Sequence, residues 1–351
     1  MPVLNVMRYL LILLLSACGL AVHAQYGGSY TYAYLQLAPS ARMSALGGLN
    51  VSTPGETDVV MGYMNPALLN AQMDGAVSVN HAFLPTGAQH GYAAYGKSIW
   101  NGKATMGGGL LYRSYGTFSM TDPSGVNLGS FKANEYALAW GIGYGEGKLR
   151  YGANVKVLYS QLESYTSFGM AADIGMSYID TARLFSAGLV MRNIGTQFSG
   201  YLPNQTEALP FSIDLGVSQR LRHLPLRVSF TLHDLQTFDI RYDDPNAVED
   251  VNIFSTDTVV EEKNYTVDKI AQHLMIGGEF YFGKSLTARV GYDHMTRSEM
   301  AIETRRGLTG FSLGFGLAIK KFRLDYGHEF TSLAGGTHHI TLAANVHTIL
   351  K

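Results

Sequence analysis

The chain has 351 residues, 15% charged and 46% apolar, with 40 glycines and a formal charge of −1. Soluble domains average about 25% charged residues, so an ordinary soluble surface is poorly supplied. The near-neutral balance excludes the basic face that nucleic acid requires, and the apolar content excludes disorder.

Arg8 precedes an apolar run that starts at Tyr9 and continues through Leu15. A basic residue, a short apolar stretch and then small residues read as a secretory signal peptide over 1–24, with Val22-His23-Ala24 as the cleavage site. The run is shorter than the about 20 apolar residues of a spanning helix. Leu15-Ser16-Ala17-Cys18 also has the form of a lipobox, which leaves lipidation at Cys18 as the alternative. Cys18 is the single cysteine, so cleavage after Ala24 leaves no disulfide, no Cys-based zinc site and no Cys nucleophile.

Residues 25–75 do not alternate. Pro39 to Gly48 predicts a short helix closed by Gly47 and Gly48. Asn65-Pro66-Ala67-Leu68-Leu69 predicts another, with Asn65 as cap and Pro66 at the first helical position. The segment reads as a plug, or hatch, ahead of a wide barrel rather than as a periplasmic leader, because side chains alone leave so wide a lumen wet. Its candidate motif residues are Arg42, Gly47, Gly48, Asn65 and Pro66. Arg42 is expected to pair with a lumenal carboxylate such as Asp173, Asp214 or Asp325.

From residue 76 onward the pattern has period two. Leu149, Tyr151, Ala153, Val155, Val157 and Tyr159 share one face, and Arg150, Gly152, Asn154, Lys156 and Ser160 the other, with Leu158 the exception. The same alternation recurs in 286–294, 322–330 and 340–348. About fourteen segments follow this rule: 76–83, 88–96, 103–115, 131–145, 148–162, 166–180, 183–194, 208–222, 225–239, 270–282, 285–297, 307–320, 322–331 and 337–348. Tight joins at 146–147, 181–182, 223–224, 283–284 and 321 alternate with long ones at 116–130, 195–207, 240–269 and 298–306. The pattern predicts an all-β fold, a transmembrane antiparallel β-barrel of about fourteen strands over 76–351 with short turns at one end and long loops at the other. Many segments exceed the about 5–6 residues of a typical soluble strand.

Chemistry is sparse. Gly310-Phe311-Ser312-Leu313-Gly314 matches the nucleophile-elbow string, but that elbow needs a strand-to-helix turn, and this string lies within an alternating segment. His338-His339 is the densest histidine pair, yet adjacent strand residues face opposite ways. Asp293-His294 fails as a dyad for the same reason. No phosphate-cradling or zincin motif occurs. No catalytic residue, cofactor site or metal site is assigned, and the chain reads as non-enzymatic. The acidic loop 240–269 is the candidate partner-contact surface, through Arg241, Asp243, Asp244, Glu249, Asp250, Glu261 and Glu262.

Leu35-Gln36-Leu37, Pro39-Ser40-Ala41-Arg42, Ala45-Leu46-Gly47-Gly48, Asp58 and Asn65-Pro66-Ala67-Leu68-Leu69 together resemble the start of the PorQ family. Further runs extend the resemblance over most of the mature chain, among them 129–138, Leu224-Pro225-Leu226-Arg227 and Val290-Gly291-Tyr292-Asp293-His294. More weakly, the Asn-Pro-Ala element is similar to the hatch of the FadL family of fatty-acid channels. The PorQ resemblance implies a Bacteroidetes outer-membrane barrel of the type IX secretion system. It implies that the barrel holds a PorZ-like surface protein in an attachment complex with PorU-like and PorV-like components, so that cargo is attached to anionic lipopolysaccharide. The alternative is a FadL-like transporter of hydrophobic small molecules, which needs an apolar lumenal pocket and a kinked strand.

Overall fold

In a strand, successive side chains face opposite ways, so a chain that alternates apolar and polar residues builds a wall with one greasy and one polar face. A computed structural model of the chain describes residues 30–85, 87–240, 266–300, 307–333 and 335–349; the signal-peptide assignment lies outside them. The wall is closed. Fourteen antiparallel strands pair each with its sequence neighbours, and the first pairs with the last. They are β1 (Ala76–Phe83), β2 (Gln89–Ile99), β3 (Ala104–Thr121), β4 (Asn127–Glu146), β5 (Leu149–Leu162), β6 (Tyr165–Asp180), β7 (Phe185–Ser199), β8 (Ser212–Arg220), β9 (Leu226–Leu232), β10 (Leu274–Phe282), β11 (Leu286–Asp293), β12 (Phe311–Ile319), β13 (Phe322–Ser332) and β14 (Gly335–Asn345).

The faces sort as the alternation requires. Along β5, Leu149, Tyr151, Val155, Val157 and Tyr159 are exposed, whereas Asn154, Lys156 and Ser160 are buried. Leu158, out of phase in the sequence, points inward and joins the apolar cluster of Leu35 and Met64. The exposed outer belt includes Leu138, Trp140, Val155, Ile174 and Leu342. Such a continuous belt is costly in water, while a closed sheet leaves no unpaired edge in lipid. The chain is a transmembrane β-barrel of the outer-membrane type.

With an even strand number, the first and last strands begin and end at one rim. That rim carries the joins 100–103, 147–148, 181–184, 221–225, 283–285 and 320–321. The other rim holds the strand ends from which the longer connections leave: Ser199 and Ser212, Leu232 and Leu274, Asp293 and Phe311.

Several boundaries depart from the sequence reading. The expected loop 116–130 is mostly strand, because β3 and β4 continue to a turn at 122–126, where the Asp122 carboxylate accepts the amides of Ser124 and Val126. The expected strand 225–239 ends at Leu232, and Asp234 takes a left-handed backbone conformation. The helices Thr266–Gln272, His294–Glu299 and Val346–Ile349 take up 270–272, 294–297 and 346–348, which were expected to be extended. Asp293 is the cap of the middle one and accepts the Met295 amide.

Candidate functional site inside the barrel

Ser40 accepts the Met43 amide and starts the helix Ala41–Ser44. Gly47 and Gly48 close it with positive φ, and the Gly48 amide returns to the Met43 carbonyl at 2.9 Å. Asn65 caps the 3-10 turn Pro66–Leu68 by accepting the Ala67 amide at 3.0 Å. Both predicted helices are therefore present, and both lie against the inner wall.

Glycines make that approach possible. A Cβ on Gly152 would stand 2.3 Å from the Pro66 carbonyl carbon, and one on Gly175 would stand 2.0 Å from Asn65 Oδ1. Gly327 and Gly291 leave the same room for Ala41 and Gly47.

Arg42 is buried and reaches Glu279 on β10 with a two-pronged contact, Nε and one terminal nitrogen each at 2.9 Å. Its other terminal nitrogen lies 3.4 Å from Asp58. Burial opposes the Arg42 charge, but the Glu279 carboxylate outweighs it and holds the guanidinium well above its ordinary pKa. Glu279 also accepts from Arg289 at 3.1 Å, and Arg289 continues to Asp325 at 2.7 Å. The expected partners of Arg42 are thus corrected. Asp173 is taken by Lys156 at 2.8 Å, Asp214 by Arg192 at 2.6 Å, and Asp325 by Arg289 and Arg323. These carboxylates are lumenal, but each strand already supplies a cation one or two strands away.

A second network crosses the middle of the lumen. Lys156 is fully buried, contacts Asp173 and Asn193, and lies 4.5 Å from the Tyr63 ring. Asn154 donates to the Gly62 carbonyl at 2.9 Å. Between β6 and β7 the register slips, with Arg192 and Asn193 both turned inward opposite Asp173. The Asp173 carboxylate, rather than a backbone carbonyl, accepts the Asn193 amide at 2.8 Å.

Two cavities open towards the loop end. One, of about 390 Å³, is an aromatic box of Tyr30, Tyr32, Tyr115, Phe118 and Tyr201 over Glu135. Glu135 accepts from Tyr115 at 2.6 Å and from Ser160 at 3.1 Å, and Ser160 accepts from Tyr201 at 2.7 Å. The other, of about 280 Å³, lies between Gly47, Met275, Phe311, His233 and Asp234. The His233–Asp234 pair closes at 2.8 Å. Burial lowers the His233 pKa, but the Asp234 carboxylate raises it further, above its ordinary value.

No family model and no curated protein matches the chain. Solved structures do. The toluene transporter TodX of P. putida aligns with a TM-score of 0.51 at 13% identity, covering 89% of this chain and 99% of that one. A TodX mutant described as a monoaromatic hydrocarbon channel aligns at 0.50 and 14% identity, covering 88% and 97%. The Ralstonia pickettii toluene transporter TbuX aligns at 0.48 and 13%, covering 88% and 97%.

The likeness is one of fold.

The candidate residues divide accordingly. Arg42, Gly47, Asn65 and Pro66 stand at contacts between the N-terminal segment and the wall, whereas Gly48 bonds back to Met43 within the segment. Arg241, Asp243, Asp244, Glu249, Asp250, Glu261 and Glu262 lie outside the described residues. Ser312, in the elbow-like string, sits within β12 and accepts the Gly47 amide at 3.1 Å. His338 is exposed and His339 buried, as their adjacency on β14 requires. Glu135, Tyr115 and Tyr201 escaped the sequence reading. Glu135 was visible as a charge at an inward position between Ala133 and Ala137, but its aromatic neighbours come from other strands.

Proposed function

We propose that this barrel admits small hydrophobic molecules across the outer membrane of a Gram-negative bacterium, with residues 30–75 as its plug. The aromatic box over Glu135 is the observation that carries the reading. It offers a ligand aromatic walls with a few polar groups, the tyrosine hydroxyls and the Glu135 carboxylate, the usual composition of a small-molecule site. Support comes also from the fold neighbours, which are described as a toluene transporter and a monoaromatic hydrocarbon channel. The β6–β7 register slip, where Asp173, Arg192 and Asn193 are buried and paired, is a local irregularity in the wall of the kind at which a lateral path is sought. The test is uptake of a radiolabelled monoaromatic compound by cells that lack channels of their own. The wild-type chain should raise uptake, and Phe118→Arg, which puts a charge in the box, should abolish the gain. Equal uptake with and without the barrel would overturn the reading.

A second reading has its own support. The β3–β4 hairpin, 18 and 20 residues per strand, spans about 60 Å at about 3.3 Å per residue. Even tilted, it outruns an apolar band of about 25 Å on the loop side. A projecting hairpin suits a barrel that anchors a PorZ-like surface protein beside PorU-like and PorV-like components, as the motif resemblance implies. Recovery of a stoichiometric surface protein in a gentle-detergent pull-down would favour that role.

A further inference from the structure

All six joins at the turn rim carry a cation: Lys103, Lys148, Arg183, Arg222, Lys284, and the pair Lys320 and Lys321. None of these joins contains Asp or Glu. Around half of the rim, strand-end carboxylates answer the charge. Glu146 lies 3.3 Å from Lys103, and Asp180 lies 2.8 Å from Lys148 and 3.9 Å from Arg183. The other half is different. The hairpins β8–β9, β10–β11 and β12–β13 follow one another around the barrel, and their turns present Arg222, Lys284, Lys320 and Lys321. All four are exposed and have no carboxylate partner among the described residues. The carboxylates nearest to them in sequence, Asp214, Glu279 and Asp325, are buried and engaged by arginines of the lumen.

A second feature of this arc says what it meets. Each cation has an exposed apolar side chain beside it: Leu221 and Leu224 flank Arg222, Phe282 precedes Lys284, and Ile319 and Phe322 bracket the lysine pair. A soluble anion offers nothing to those side chains. A phospholipid offers hydrocarbon to the apolar residue and phosphate to the cation, which is the arrangement found where side chains cross a headgroup boundary. We propose that the turn rim along β8–β13 binds anionic phospholipid of the facing leaflet, with Arg222, Lys284, Lys320 and Lys321 as its phosphate contacts. The site is independent of what the lumen carries.

The test uses the full mature barrel, delipidated and then offered phosphatidylglycerol or phosphatidylethanolamine in detergent, with retained lipid read by native mass spectrometry. Wild type should retain phosphatidylglycerol preferentially. Each cation near an anionic surface is worth about 1 kcal/mol, so removing one should weaken retention about fivefold. The R222Q/K284Q/K320Q/K321Q variant should lose the preference, and K320Q/K321Q alone should weaken it about 25-fold on the same basis. Lys132→Gln, an exposed lysine of β4 away from this rim, should change nothing. Heat-dependent gel mobility confirms that each variant is a closed barrel. Equal retention of the two lipids by wild type, an unchanged K320Q/K321Q variant, or displacement of the lipid by inorganic phosphate would each overturn the proposal.

Discussion

Arg42 joins the N-terminal segment to the wall through one buried, two-pronged contact with Glu279. Breaking a buried pair by removing one partner costs about 3–5 kcal/mol. Arg289 and Arg227 remain beside Glu279, so Arg42→Met should fall near the lower end. The expected outcome is a lower urea midpoint and faster proteolysis within residues 30–75, with Arg42→Lys intermediate because it keeps charge without the fork. His233 and Asp234 give a pH signature. The His233 pKa is raised by Asp234 against its burial, so its contribution is complete below the unfolded value of about 6.5 and fades as pH rises through the folded value. The Asp234 pKa is depressed through the His233 hydrogen bond against burial, so its contribution is present above about 3.9 and is lost on acidification. The pair therefore stabilises most between those limits. Asp234→Asn should lower the melting temperature clearly near pH 5.5 and much less near pH 9, in a melting series across that range. An undiminished gap at pH 9 would show that the ion pair is not its cause.

The strands were legible because period two dominates most of them, β5 down to Leu158 as its residue out of phase, although β3 and the β7 bulge at Arg192 and Asn193 break it. What was not legible is azimuth. A sequence shows that Arg42 enters a lumen lined by carboxylates, but not that Lys156 and Arg192 already occupy Asp173 and Asp214. Likewise, 116–130 holds Asp122-Pro123-Ser124-Gly125, a genuine turn, and the strands on both sides simply run on to meet it. The glycine excess also finds its cause at this scale, since inward glycines are where the segment's backbone touches the wall. Gly175→Val places a side chain against Asn65, whose carbonyl oxygen would lie 2.0 Å from the new Cβ. The barrel should still close while the Asn65 cap comes loose, seen as new protease cuts near residue 65 at unchanged heat-dependent mobility. On the outer face the rule reverses. Val155, exposed midway along β5, tolerates apolar exchange, whereas Val155→Arg should cost about 2–4 kcal/mol in folding from urea into lipid.

For the whole molecule the deciding matter is whether the filled lumen ever opens. The charged Arg42 network and the Lys156 network tie residues 30–75 to strands on different sides of the barrel, so passage of a ligand through the segment requires at least one of them to yield. An anchor makes no such demand, because a surface partner needs only a rigid wall and a projecting hairpin. Gly175 and Asn65 allow the two roles to be separated. A Cβ on Gly175 would lie 3.1 Å from Asn65 Cγ, so cysteines at 65 and 175 come within reach of the about 3.5–4.5 Å Cβ separation of a disulfide. Cys18 is the single native cysteine, so a Cys18→Ser background offers no competing thiol. Oxidised Asn65→Cys/Gly175→Cys barrel should lose hydrophobic uptake and regain it on reduction if the segment moves during transport. The same lock should leave capture of a surface protein unchanged if the barrel serves as an anchor. Uptake that persists in the oxidised form would place the path along the wall, beside the β6–β7 irregularity, rather than through the segment.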